Sequence, residues 1–263
     1  MTTPSLPRVS IVTPSFNQAQ YIESTIQSVL VQDYPQIEYL IVDGSSTDNT
    51  VDIIKKYQGQ LAWWVSEKDQ GQTDAINKGF ARASGDILAW INSDDTYEPG
   101  AVRLAANYLM EHPEVGMVYG DCNFINAEGR VIGRFASAQT NYRLLRQGYV
   151  HIPQQAAFWR AELWRQVGPL DPSLTFAMDY DLWVRLSKIS KLQYLPRLWA
   201  EFRLHADSKT LQNDMRAWED MLKVHRREDG GSFSIIVAKY WLRRLLFPVI
   251  RYRRRKMARA PLN

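Results

Sequence analysis

Residues 86–95 read DILAWINSDD: an apolar run, Ile87 to Ile91, that stops in Asn92, Ser93 and two adjacent aspartates. A short apolar run bounded by polar turn residues has the pattern of a strand buried on both faces. Where such a strand surfaces, neighbouring carboxylates repel each other unless a positive group lies between or beside them. The stretch therefore raises a question of architecture, what covers the strand, and one of chemistry, what holds Asp94 and Asp95.

The same rhythm recurs on both sides. VSIVT (9–13), IEYLIV (37–42), LAWWV (61–65) and VGMVYG (115–120) read as further strands. Between them fall segments with apolar residues at helical spacing: Ile22, Ile26, Val29 and Leu30; then Val51, Ile54 and Tyr57 behind the turn DGSSTDNT; then Ala75, Ile76, Gly79 and Phe80; then 98–113, closed by Pro113. Alternation of this kind predicts an α/β fold, a mostly parallel central sheet with helices on both faces. Ligands in such folds bind beyond the carboxyl ends of the strands. Thr13–Asn17, Asp43–Ser46, Glu67–Gly71 and Asn92–Asp95 are thus expected to line one cleft. The second half is less regular: a ribbon or loop over 121–150 with NAEGR as a turn, a strand at 154–160, a helix at 179–190, a strand at 197–204 and a helix over 208–227.

With 263 residues, 45% of them hydrophobic, the chain can bury one large core. We expect one domain over 1–229 and a basic, amphipathic helical tail over 230–263. Residues 1–229 hold 23 of the 32 Lys and Arg and all 28 Asp and Glu, so a mildly acidic body carries a strongly basic tail. A nucleic-acid binder is expected to be basic in its body, and none is predicted here. The tail interleaves Trp241, Leu242, Leu245, Leu246, Phe247, Val249 and Ile250 with the cationic run Arg251–Lys256. That composition suits a helix lying on an anionic membrane surface, a partner chain or solvent being the alternatives. The single cysteine, Cys122, is compatible with a reducing compartment. No signal-peptide layout and no run long enough to span a bilayer is read, so a cytoplasmic location is expected, peripheral on the inner face of the membrane if the tail binds there.

Three carboxylate positions stand out. Asp94 and Asp95 could hold Mg²⁺ or Mn²⁺, ions often bound by one or two carboxylates plus substrate phosphates; alone, such a pair is more often a turn capping a helix. Asp43, followed by Gly44, could accept the imide N–H of a pyrimidine base, or form an Asx turn feeding a helix. Asp179, in FAMDYDLWVRL, has apolar neighbours that would raise its pKa toward that of a general base; either it or Asp181 could instead cap a helix. No dinucleotide or P-loop glycine motif, zinc-hydrolase HExxH, CxxC pair or GxSxG occurs.

Taken together, residues 10–50 (SIVTPSFNQAQYIESTIQSVLVQDYPQIEYLIVDGSSTDNT), 66–95 (SEKDQGQTDAINKGFARASGDILAWINSDD) and 152–186 (IPQQAAFWRAELWRQVGPLDPSLTFAMDYDLWVRL) resemble glycosyltransferase family 2, inverting enzymes of the GT-A fold. The resemblance implies that Pro14, Ser15 and Asn17 touch the nucleoside, that Asp43 recognises the base, and that the metal motif falls on 92–95. Asp95 is then expected as the metal ligand and Asp94 beside the ribose or donor sugar, with Asn92 where many members have Asp. Asp179 matches the catalytic base, preceded here by Met178 where many members have Glu. His205, in RLHADS, matches a stretch that closes over the diphosphate and is expected as a further metal ligand. Glu67, Asp69, Gly71 and Asn77 fall in the donor-side loop.

The implied protein is a transferase using Mg²⁺ or Mn²⁺ to move a sugar from a nucleotide-diphospho-sugar donor to a hydroxyl of a glycan or lipid-linked acceptor, in surface polysaccharide or glycolipid assembly. The rival readings are a sugar nucleotidyltransferase, against which TPSFNQAQ lacks Gly and basic residues, and a non-catalytic nucleotide-sugar-binding subunit. A processive synthase lacks support, there being no QxxRW run.

Overall fold

The computed structural model describes residues 6–205 and 214–257, with side chains over 6–205 and 215–247. The first half follows the expected alternation: β1 (Val9–Ser15), α1 (Ile22–Leu30), β2 (Ile37–Asp43), α2 (Thr50–Tyr57), β3 (Trp63–Ser66), α3 (Gln72–Arg82), β4 (Ile87–Trp90), the short β5 (Thr96–Tyr97) and α4 (Ala101–Glu111). The long β6 (Val115–Ile125) and β7 (Val131–Arg134) form a hairpin across the expected NAEGR turn. There follow α5 (Tyr142–Arg146), β8 (Ala157–Arg160), α6 (Ala161–Val167), α7 (Met178–Ile189), β9 (Lys191–Arg203), α8 (Asp214–Arg227) and α9 (Ile235–Met257). The expected 208–227 helix is described from Asp214; residues 206–213 lie outside the described part.

Among the described residues the strands form one sheet in the order β3-β2-β1-β4-β8-β6-β9-β5, with β7 on β6. The expected parallel pairing holds among β1 to β4 and again between the long β6 and β9. β8 enters antiparallel between β4 and β6, and β5 and β7 also pair antiparallel, so the sheet as a whole is mixed. Residues 154–156, expected at the start of β8, form a single 3₁₀ turn that buries Gln154 and Gln155.

Side chains on a strand alternate between faces, so each central strand feeds two cores. On β4, Leu88 and Trp90 join the layer under α3, α6 and α7, while Ile87 and Ala89 join the layer under α1 and α4. On β8, Trp159 goes to the first and Phe158 to the second. Trp90, Trp159 and Trp183 of α7 pack together, Trp90 stacked on Trp183 with centroids 5.8 Å apart and Trp159 edge-on to both. Gly79 lets α3 lie directly on β1: a Cβ there would come within 2.4 Å of Val12 Cγ1.

The tail is helical, and its first turns are built into the body. Ile236 and Tyr240 are buried in the first core, and Lys239 donates to the Gln147 carbonyl at 3.2 Å. The opposite face of α9 exposes Trp241, Leu242, Leu245 and Leu246. Among the described residues no helix is long and apolar enough to cross a membrane.

Candidate active site

The parallel strands end in register. Ser15 of β1 lies beside Asp43 of β2, and Asp43 beside Ser66 of β3, so their following loops leave the sheet at one level. Those loops wall a cleft of about 1000 Å³. All four expected strand ends contribute: Pro14, Ser15 and Asn17; Gly44; Asp69 and Gly71; Asn92, Ser93 and Asp94. The far wall carries Gln154, Gln155, Met178, Asp179 and His205, and an apolar side carries Phe135, Val150, Ile152 and Phe202.

Asp94 and Asp95 part company where β4 ends. The Asp94 carboxylate faces the cleft, 18% exposed, with its Oδ2 3.0 Å from His205 Nε2. Asp95 points inward, is 0% exposed and does not line the cleft. Its Oδ1 accepts from the Arg203 backbone N–H at 2.9 Å, and its Oδ2 from Gln155 Nε2 at 2.9 Å and Asn92 Nδ2 at 3.0 Å. Burial, and then the charge of Asp94, push the Asp95 pKa well up, while those three donors pull the other way. Asp95, expected as the metal ligand, thus has its oxygens turned into the protein and engaged there, and Asp94 is the carboxylate that meets the cleft. The two carboxylates turn apart, and the charge of Asp94 is still felt at Asp95.

Asn92 has its own reason to be an amide. Its Oδ1 accepts from Gln72 Nε2 at 2.7 Å while its Nδ2 donates to Asp95 and, at 3.3 Å, to Gln154 Oε1. A carboxylate could accept the first bond but donate neither of the others. Arg203 completes the frame, its Nε donating to the Asp94 carbonyl at 2.9 Å and its guanidinium lying over the Tyr21 ring, which also touches the His205 imidazole.

Asp179 occupies the first turn of α7 on the cleft wall. Burial against that wall pushes its pKa up, although its Oδ1 accepts from the Tyr180 N–H at 2.8 Å. The capping alternative fails for both aspartates, since the α7 N-cap is Ala177 with no side-chain cap bond. Asp181 is instead buried in ion pairs with Arg185 of its own helix, at 2.9 Å, and with Arg227 of α8.

The remaining expected residues divide. Ser15 is nearly buried in the cleft wall, and its hydroxyl has no hydrogen-bond partner among the described residues. Asn17, in a left-handed conformation, shapes the first loop by accepting from the Thr47 N–H at 2.8 Å. Asp43 is buried behind Gly44; Ser46 donates to both its oxygens and Ser66 to Oδ2. The helix that follows starts only at Thr50, so neither Ser46 nor Thr47 caps it. Asp69 lies against Gly44, where a Cβ would come within 2.7 Å of its Oδ2. Two residues expected at the donor have partners within the protein. Glu67 reaches out to pair with Lys78 at 3.0 Å, and Asn77 is spent on the backbone N–H and C=O of Leu170, each at 2.9 Å. Sequence reasoning did not single out Lys68, a cation on the cleft wall, or the framing residues Gln72, Gln154, Gln155 and Arg203, although each lies inside a stretch quoted for the resemblance, because a motif does not show which of its side chains bond to one another.

Among the described residues no group of three or more His, Cys, Asp and Glu could hold a metal ion. Asp94 with His205 is nevertheless a donor set that fits Mg²⁺ or Mn²⁺, which take few protein ligands when phosphates complete the shell.

A cleft at the carboxyl ends of parallel strands, with a carboxylate–imidazole pair and a separate crowded carboxylate, defines a site for group transfer. The family model described as "Glycosyl transferase family 2" matches residues 10–163, and the chain belongs to that family. Asp179 and His205 lie beyond the matched range. An uncharacterized glycosyltransferase of Mycobacterium tuberculosis is 29% identical over 239 residues, 88% of this chain and 89% of that one. Among solved structures, S. aureus TarS in complex with UDP-GlcNAc has a TM-score of 0.70 at 17% identity, covering 89% of this chain and 71% of that one. A mannosyltransferase of Pyrobaculum calidifontis in complex with GDP-Man and Mn²⁺ has a TM-score of 0.67 at 19% identity, covering 98% and 77%. The protein is a glycosyltransferase of GT-A-like fold, which removes the nucleotidyltransferase alternative.

Proposed function

We propose that the chain is a metal-dependent, inverting glycosyltransferase that moves a sugar from a nucleoside diphosphate to a hydroxyl of a glycan or lipid-linked acceptor, in surface polysaccharide or glycolipid assembly. The observation that carries this reading is one cleft holding both the Asp94–His205 pair and Asp179. Ser15, Asn17 and Gly44 take the nucleoside, and Asp43 accepts the imide N–H of a pyrimidine, its Oδ1 receiving only one bond from Ser46. Asp69 and Gly71 face the donor sugar, and Lys68 balances diphosphate charge. Asp94 and His205 would hold Mg²⁺ or Mn²⁺, which when bound supplies charge that stabilises the departing nucleoside diphosphate.

Asp179 accepts the proton of the acceptor hydroxyl as that oxygen bonds to the anomeric carbon. The glycosidic bond to the diphosphate breaks on the opposite face, and the configuration inverts. Phe135 and Phe202 offer an apolar side against which a sugar ring of the acceptor can lie.

The donor is found by screening UDP- and GDP-sugars with and without Mn²⁺. Asp94→Ala and His205→Ala are each expected to abolish the tightening of donor binding by Mn²⁺, read by calorimetry, while Asp95→Asn retains it if folded. Metal-independent binding of equal strength in all proteins would remove the metal from the reading.

In this reading the protein lies on the anionic inner face of a membrane and meets a lipid-linked acceptor there, a reading supported by the exposed apolar face of α9 and the cationic run in the sequence.

A further inference from the structure

The connection from α6 to α7, residues 168–177, delivers Asp179 to the cleft and has no strand or helix of its own to fix its course. Leu170, Leu174 and Ala177 bury it against the first core. Apolar burial is non-directional, however, whereas hydrogen bonds set the register of a chain.

Polar side chains of α3 supply that register at both ends. Asn77 Oδ1 accepts from the Leu170 N–H and its Nδ2 donates to the Leu170 carbonyl, each at 2.9 Å, so one amide closes on both backbone groups of a single residue. One turn earlier on α3, the buried Thr73 hydroxyl donates to Met178 Sδ at 2.9 Å, and Met178 directly precedes Asp179. Residues four apart on a helix lie on one face. The same face of α3 therefore grips the connection where it starts and where it runs into α7. Between these points the buried Asp220 of α8 accepts from the Phe176 N–H at 3.0 Å. Neither Asn77 nor Thr73 lines the cleft, but Gly71, Gln72 and Ala75 at the amino end of α3 do. The helix that borders the donor side is thus the one that fixes the chain carrying Asp179.

We infer that Asn77 and Thr73 are positioning residues that act on the reaction through Asp179. The inference rests on the reading of Asp179 as the base. A displacement of about 1 Å at a reacting group can cost about 10²-fold in rate, and loss of either grip frees one end of the connection that sets where the Asp179 carboxylate stands.

The test uses the full chain. Alanine suits a helix interior, so Asn77→Ala is expected to fold. Thr73→Val keeps the shape of the side chain without its hydroxyl, and Thr73→Ser keeps the hydroxyl. Turnover is measured with the donor that the screen identifies, and nucleotide affinity by calorimetry with UDP and GDP in the presence of Mn²⁺. Asn77→Ala should lower turnover by about 10- to 100-fold. Nucleotide affinity should change by less than about twofold, as for a loss confined to the chemical step. Thr73→Val should act in the same direction as Asn77→Ala, and Thr73→Ser should keep wild-type turnover. In the Asp179→Asn background Asn77→Ala should have no further effect, because a residue acting through the base then has nothing to act on; a general loss of folded protein would lower both backgrounds by one factor. Equal factors in the two backgrounds, a loss of nucleotide affinity matching that of turnover, or full turnover in both Asn77→Ala and Thr73→Val would overturn the inference. If Asn77→Ala does not fold, Thr73→Val against Thr73→Ser decides by the same criteria. A fully active Asp179→Asn is a distinct result, which removes the base and the inference with it.

Discussion

At the scale of single residues, the site depends on which way each polar side chain turns. Asp179 is the clearest case, because it stands on the cleft wall with its pKa raised by burial. Asp179→Asn is expected to fold and to lose about 10²-fold or more in turnover, measured with the donor that the screen identifies. A base must be ionised, so wild-type activity should fall on acidification at a higher pH than an ordinary carboxylate would give. The linkage has a matching sign. A folded pKa above the unfolded one contributes stability that is complete below the unfolded value and lost as pH rises through the folded one. Melting temperatures of wild type and Asp179→Asn should therefore diverge in favour of the variant as pH climbs through that window; parallel curves would contradict the raised pKa. Asn92 gives a second prediction. Asn92→Asp removes the donor to Asp95 and sets a carboxylate beside a fully buried one, and should cost about 1–3 kcal/mol in urea unfolding. An acid at this position should thus weaken this protein, because here the amide links Gln72 to Asp95.

At the scale of elements, close packing overrides local preference. Gly79 lies inside α3, where alanine would ordinarily gain about 1 kcal/mol in helix propensity. The 2.4 Å approach to Val12 reverses the sign: Gly79→Ala should lower the urea midpoint at unchanged m, by about 1–3 kcal/mol for an overpacked core. A stabilised variant would mean that α3 can lift from β1 freely. The tryptophan cluster ties two halves of the site in the same way. Trp90 immediately precedes the Ile91-Asn92 exit from β4, and Trp183 follows Asp179 by one turn of α7, so their stacking sets the loop of Asp94 and the Asp179 carboxylate relative to one shared core. The alternation of strands and helices up to α4 was readable because period 2 and period 3.6 leave distinct apolar patterns. The direction of β8 was not: a short apolar run such as AFWR carries no sign of whether its neighbours are parallel.

At the scale of the whole molecule, α9 has one face in the body and one face exposed. Its buried face, Ile236 and Tyr240, belongs to the domain core, so cutting the chain at Gly231 would uncover that core rather than only remove a tail. The informative change is on the other face. Leu242→Gln with Leu245→Gln, both exposed, should leave the melting temperature nearly unchanged and reduce flotation on vesicles of phosphatidylglycerol and phosphatidylcholine. Undiminished flotation would take the apolar face of α9 out of membrane binding.

The sequence by itself determined the alternating layers, the four strand ends that meet at the cleft, and the prominence of Asp94, Asp95 and Asp179, because burial and chemistry leave their marks locally. Which of two adjacent aspartates faces the cleft was decided only by the tertiary structure. Arg203, more than a hundred residues away, donates its backbone N–H to Asp95 and its guanidinium to the Asp94 carbonyl, and the amides of Gln72, Asn92 and Gln155 link the loop after β4 into one network. Neighbours in sequence share composition, but the acceptors and donors that turn one inward and leave the other for a ligand come from strands and turns brought together by folding.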